Sequence, residues 1–287
     1  MRKVLAIAAV SGLVVAGFAY FVGHAVVTTG DARSIANVAL ESAGKHALDY
    51  DKVLKPTSGT PSLSPSSGAS FAQVKQAADS FVARLDQARA KIRADRATLS
   101  SADGALRAAA QNPLMAPFRS GFEQPQRRVE SMMSALDAAD AGIGVERDEM
   151  HATAAFMDVM SDYTTLGSRE KAGDVAGSLA MFTTLDPKVQ TAMQAVLGRD
   201  IPAHQVALVK AVAAAVADEK AVLLATQAHD ANRTRAALAK FDTDSAAVDN
   251  VDVSQIESEE RAMLQPYVDR FEANLKAAGF SLPASAS

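Results

Sequence analysis

The stretch FAQVKQAADSFVARLDQARAKIRADRATLSSADGALRAAA, residues 71–110, repeats its apolar residues every seven positions. Phe71, Ala78, Leu85, Ile92, Leu99 and Leu106 form one row, and Val74, Phe81, Ala88, Asp95, Ala102 and Ala109 fill the positions between. A mean spacing of 3.5 puts both rows on one face of an α-helix. About 40 residues rising about 1.5 Å each predict a rod about 60 Å long. Large residues alternating with alanines suit close antiparallel neighbours. The predicted fold is therefore all-α: an elongated antiparallel bundle of long heptad-type helices, with a self-associating coiled coil as the competing arrangement. Asp95 alone interrupts the apolar seam.

Downstream, Asn112-Pro113, Pro117 and Pro125 end the rod and build a turn. A second long helix is expected over 126–166, with Val129, Met132, Leu136, Ala139, Ile143, Met150, Met157 and Met160 as its buried stripe. Gly142 and Gly144 lie inside it, each weakening it by about 1 kcal/mol relative to alanine. Two short helices follow, over 169–182 and from Asp186 as N-cap, with Pro187 at the first helical position and Gly198 past the end. A third long helix is expected over 202–241, then an acidic loop over 242–252. Ser254 and Glu257 have the spacing of a capping box opening the last helix, which Pro266 should kink and Gly279 should close. Aromatics make up 5% of the chain and tryptophan is absent, which suits alanine-rich helix packing over sheets.

Upstream, residues 55–70 (KPTSGTPSLSPSSGAS) cannot build a core and read as a flexible linker. Residues 31–54 read as a helix, with Ile35, Val38, Leu48 and Val53 among its apolar positions. Met1-Arg2-Lys3 precedes Val4–Val22, nineteen residues without a charge. That length approaches the roughly 20 residues that span a bilayer, and the basic flank stays inside. The expected organisation is an export signal or membrane anchor helix over 1–27, a membrane-proximal helix over 28–54, the linker over 55–70, an extracytoplasmic bundle over 71–280 and a disordered tail over 281–287. The expected location is the plasma (inner) membrane, single-pass, with a cytoplasmic N-terminus. Cleavage at the small-x-small triplet Gly23-His24-Ala25 would instead release the body as a secreted or periplasmic protein. In outline this resembles several bacterial envelope proteins and the ligand-binding parts of chemoreceptors, a likeness of architecture that assigns no residue.

The chain has no cysteine, which excludes thiol catalysis, disulfides, thiolate metal sites and lipid attachment at an N-terminal cysteine. Arg2 and Lys3 precede the charge-free segment, so the remaining 27 basic residues face 33 acidic ones, a formal −6. A body of that sign repels phosphate backbones, so nucleic acid is not an expected partner. No Gly-rich phosphate loop, nucleophile elbow or His-Glu-x-x-His occurs. Asp148 and His151 have the i, i+3 spacing of half a bundle metal site, but no second copy accompanies them. The acidic run Asp242, Asp244, Asp249 and Asp252 lacks the EF-hand spacing.

Asp95 and Glu219, the latter within Asp218-Glu219-Lys220, would make a polar layer or ligand site if they faced inward. Charges are seldom fully buried unless paired, so residue type alone places Asp95 at a bundle edge and the Asp-Glu-Lys run in solvent. Leucine at position 95 would then keep or raise stability. The candidate ligand or polar-layer positions are thus Asp95, Asp148, His151 and Glu219, with no catalytic residue, metal or cofactor expected. The functional expectation is a membrane-tethered extracytoplasmic scaffold or protein-interaction module, non-enzymatic, binding a protein partner or itself. The alternative is a sensor or carrier bundle that holds a small ligand.

Overall fold

A computed structural model of the chain describes residues 30–55 and 69–282. The charge-free segment 4–22, nearly all of the linker and the tail from residue 283 lie outside the described residues. Among the described residues no helix is long and apolar enough to cross a membrane. These residues are all-α: α1 (30–54), α2 (Phe71–Gln111), a 3-10 turn (Pro113–Phe118), α3 (Ser120–Lys171), α4 (Val175–Val196), α5 (Ala203–Gln227), α6 (Ala231–Asp249) and α7 (Val253–Ala277). The contacts divide them into two compact units. Unit 1 holds 30–51, 89–140 and 269–282, and unit 2 holds 52–88 and 141–268.

The heptad reading of α2 carries over into burial. Ala78, Leu85, Ile92, Leu99 and Leu106 are buried, as are Val74, Ala88, Asp95, Ala102 and Ala109. Near the N-terminus Val82 is buried and Phe81 only half-buried. A straight helix turns every 3.6 residues, so a seven-residue row drifts off the seam.

In unit 1, α2 and α3 run antiparallel. Arg89 pairs with Asp140, Arg96 with Asp137 and Arg107 with Glu130. The buried face of α1 is mainly a stripe of small residues, Ala32, Ala36, Ala39, Ala43 and Ala47, with Leu40, Tyr50 and Leu54 as its large members. The expected apolar positions Ile35 and Val38 are instead 49% and 64% exposed, and Leu48 is also exposed. Alanines spaced for a helix face give up side-chain bulk for close backbone approach, and Gly44 extends that face. A Cβ there would collide with the Phe280 ring. α1 therefore belongs to the core of unit 1.

α3 begins six residues before its expected start, with Pro125 inside it. Pro125 has no N–H for the Gly121 carbonyl four residues back. Arg33 of α1 supplies the missing donors, from Nε at 3.1 Å and Nη2 at 2.7 Å, over a Gly121 that leaves room for the guanidinium. At the other end of α7, Arg128 Nε donates to the Ala278 carbonyl at 2.9 Å, satisfying one of the orphan acceptors of a helix C-terminus.

Unit 2 is built on a core that includes Val74, Phe156, Met157, Leu166, Phe182, Leu185, Val209, Val212, Val216 and Ile256. Several boundaries differ from expectation, each for a local reason. The two short helices are one, α4, capped by Asp174, which accepts from the Gly177 N–H at 2.8 Å. Asp186 instead accepts from Lys220 Nζ at 2.5 Å, and Pro187 sits within the helix. The third long helix breaks at 228–230. His229 takes a positive φ of 53°, and Asp230 caps α6 by accepting from the Arg233 N–H at 3.0 Å. The expected acidic loop is therefore helical through Asp249. α7 is opened by Asp252, which accepts from the Ser254 N–H at 3.0 Å and hydroxyl at 2.6 Å, in place of a Ser254–Glu257 box. Gly198 and Gly279 close α4 and α7 with positive φ, as expected.

Candidate functional site

Each unit carries a buried polar cluster. In unit 1, α2 presents Asp95 inward, 6% exposed. It accepts from the Tyr50 hydroxyl at 2.7 Å and meets His46 Nδ1 at 2.9 Å, both on α1. Tyr50 is fully buried, and that burial, followed by the hydrogen bond to Asp95, raises its pKa well above the usual phenol value. Asp95 is therefore not at a bundle edge. It is the acceptor of a polar layer that ties α1 to α2.

In unit 2, Asp218 and Glu219 are buried, correcting the solvent-face expectation for this stretch of α5. Asp218 is paired with Lys240 of α6. Glu219 faces Tyr163 and Glu170 of α3, and burial followed by the hydrogen bond with Glu170 raises its pKa. One oxygen of Glu170 and one of Glu219 are buried without a hydrogen-bond partner. Asp95 and Glu219 thus have separate partner sets in different units.

The half-motif of Asp148 and His151 does not form a ligand pair. Asp148 accepts from Arg199 at 3.0 Å with Arg147 also near, which spends its carboxylate on cations. His151 is half-buried, and its pKa is lowered by that burial first and by Arg147 second.

The acids that gather on α3 lie two positions before and one position after Asp148. Glu146 and Glu149 are buried on α3, and Glu260 of α7 is buried beside them. One carboxylate oxygen from each lies within 4.8 Å of the others. Glu146 is 1% exposed, and neither of its oxygens has a hydrogen-bond partner; Oε1 of Glu260 has none either. Burial, reinforced by the Glu260 charge, pushes Glu146 up to about 8. Burial, then Glu260 and Glu146, pushes Glu149 up as well, and burial followed by Glu257 raises Glu260. Along the same face of α3, Thr153 accepts from buried Gln205 of α5 at 3.2 Å. At the edge, His204 meets Glu259 at 2.6 Å.

Two of this trio were within reach of the sequence. Between Ile143 and Met150 the buried stripe of α3 needs a member at 146, and between Ile256 and Leu264 that of α7 needs one at 260. Both places hold glutamate. Reading the stripe only through its apolar members passes over them.

A second feature lies on the surface of unit 2. α6 packs on α5, yet none of its 19 residues is buried. Leu238 of α6 and Leu224 of α5 are both exposed. Comparison of the chain with family models, with curated proteins and with solved structures gave no match.

Proposed function

We propose that this chain is a membrane-tethered, extracytoplasmic, non-enzymatic protein-interaction module. The observation that carries the reading is α6, a complete helix without one buried residue, lying beside exposed leucines. Helical stability in proteins comes mostly from packing an amphipathic face, so a helix of this kind leaves capacity for a protein partner. The tether rests on the charge-free segment 4–22 behind Arg2 and Lys3. A reporter fused after Ser287 is expected to be active only outside the cytoplasm, and cytoplasmic activity would refute the topology.

A photo-crosslinking residue at 224 or 238, introduced in the full chain in its native membrane, tests the surface. Both positions should give an adduct of the same mass, and the exposed Gln76 position on α2 should not. Equal adducts at all three, or none at 224 and 238, contradict an α6 surface. A bundle that holds a small ligand is the second reading, favoured by the unpartnered carboxylates of Glu146 and Glu260.

A further inference from the structure

α3 carries Glu146 and Glu149 three residues apart on its inward side, and α7 brings Glu260 to them. Buried acids are normally answered by arginine, lysine or backbone N–H groups. Here Arg147 is engaged with Asp86 and Arg199 with Asp148, and Arg261 reaches Glu260 only as a nearby charge. Glu146, almost wholly enclosed, turns two oxygens without a donor toward two further buried carboxylates. An acidic cluster on a surface needs no explanation, but an enclosed carboxylate with no donor does.

We propose that Glu146, Glu149 and Glu260 form a binding site for one hard divalent cation of calcium's size, between α3 and α7 in unit 2. The donor set contains oxygen alone, which suits calcium, magnesium or manganese and excludes thiolate- and imidazole-seeking metals. Oxygens on opposite sides of a calcium ion are about 4.8 Å apart at ordinary Ca–O distances, and about 4.2 Å apart around magnesium. The carboxylate oxygens already lie within 4.8 Å of one another, so calcium needs no inward movement of the helices. A cation supplies positive charge to three carboxyls that otherwise have only the Arg261 charge near Glu260. It also joins α3 to α7, two helices whose buried faces otherwise hold like-charged groups together. The site is independent of the α6 surface and does not rest on the interaction reading.

The test uses the full chain in detergent, stripped with chelator and dialysed against labelled calcium. One calcium ion per chain is expected, with a melting temperature that climbs as free calcium rises. In the Glu146→Gln/Glu260→Gln variant, which keeps both side-chain volumes and removes both charges, binding and the melting shift should vanish while helical content is unchanged. Glu260→Asp, which withdraws one ligand by a methylene, should weaken binding by about tenfold or more. Asp148→Asn, beside the site but bonded to Arg199, should bind as wild type does. Magnesium should compete more weakly than calcium. The proposal is overturned if the wild-type chain retains no calcium and does not change its melting temperature, because protons alone then neutralise the trio. It is equally overturned if the double variant binds as well as wild type, because the ion then lies on surface carboxylates.

Discussion

Replacing Asp95 by leucine should destabilise the protein, although the sequence alone suggests the reverse. Leucine completes an apolar seam and gains about 1.5–3 kcal/mol of burial if it fits. Against this, the Tyr50 hydroxyl, in a residue with no exposure, loses its acceptor. An orphaned buried donor costs about 1–3 kcal/mol, and the lost hydrogen bond to a charged group is itself worth about 1.5–3 kcal/mol. His46 is a third exposed and can turn to water, so it adds little. A net loss of about 1–3 kcal/mol is expected for Asp95→Leu. Tyr50→Phe alone leaves a buried carboxylate with one partner fewer, and should cost about 1.5–3 kcal/mol. The double variant has neither the stranded hydroxyl nor the stranded acid. Its loss should fall short of the sum of the single losses by about 1.5–3 kcal/mol. Urea unfolding of the four proteins in detergent, followed by circular dichroism, measures this. Losses that add to within about 0.5 kcal/mol would show that Asp95 and Tyr50 are energetically independent and would refute the polar layer.

Two glycines in α3 should respond with opposite signs. Gly144 faces open space, so Gly144→Ala should stabilise by about 1 kcal/mol from helix propensity. A Cβ at Gly142 would lie 2.6 Å from Leu54 Cδ2 and 3.0 Å from Tyr267 Cβ, so Gly142→Ala should cost about 1–3 kcal/mol despite the same propensity gain. Thermal melting of the pair checks both. Glu219 has a folded pKa near 8 against an ordinary 4.5, so the folded state holds its proton more tightly than the unfolded one. Its contribution is greatest below pH 4.5 and is lost as pH rises through 8, a decline of about 2 kcal/mol once partial solvent screening is allowed for. Glu219→Gln should flatten the stability profile across that window, and an unchanged profile would exclude Glu219 as its source. A chain beginning at residue 71 removes Leu40, Tyr50 and the alanine face of α1 from the core of unit 1. Its unfolding should lose cooperativity in calorimetry, and a single sharp transition like that of the full chain would contradict the role given to α1.

The all-helical class and the buried seam of α2 were legible in the sequence, because a repeat sustained over six heptads admits little else. Glycine caps at 198 and 279 were legible for the same kind of local reason, since positive φ selects the residue. What was not legible depended on neighbours. Asp186 looked like a cap and proved to be a partner for Lys220, while Asp174 took the capping role about three turns earlier. The break at 228–230 carries neither glycine nor proline, only Asp230 as a cap behind a strained His229. On α1, bulk misled: Ile35 and Val38 drew attention from the alanine stripe that is buried. Among the candidate site positions, Asp95 and Glu219 were found as interruptions but assigned to a bundle edge and to solvent, because a charge's partner on another helix cannot be seen in its own. The glutamate trio was hidden by the same habit, in positions that periodicity marked and hydrophobicity did not.

Unit 1 draws on stretches far apart in the chain, and this sets an order of assembly. Arg128 reaches the Ala278 carbonyl across 150 positions, and the Phe280 ring rests on Gly44. Neither contact can form before the last residues of α7 have been synthesised. Residues 141–268, by contrast, are contiguous and contain the buried core cluster of unit 2 except for Val74. At roughly 5–20 residues per second, that cluster has its parts in hand before the closing segment of unit 1 emerges. Until then Gly44 on the inner face of α1 lacks its Phe280 cover and Arg128 lacks its carbonyl, a window in which a holdase would bind and a protease would cut. A chain stopped at residue 268 would keep that window open permanently, although every residue of unit 2 is present.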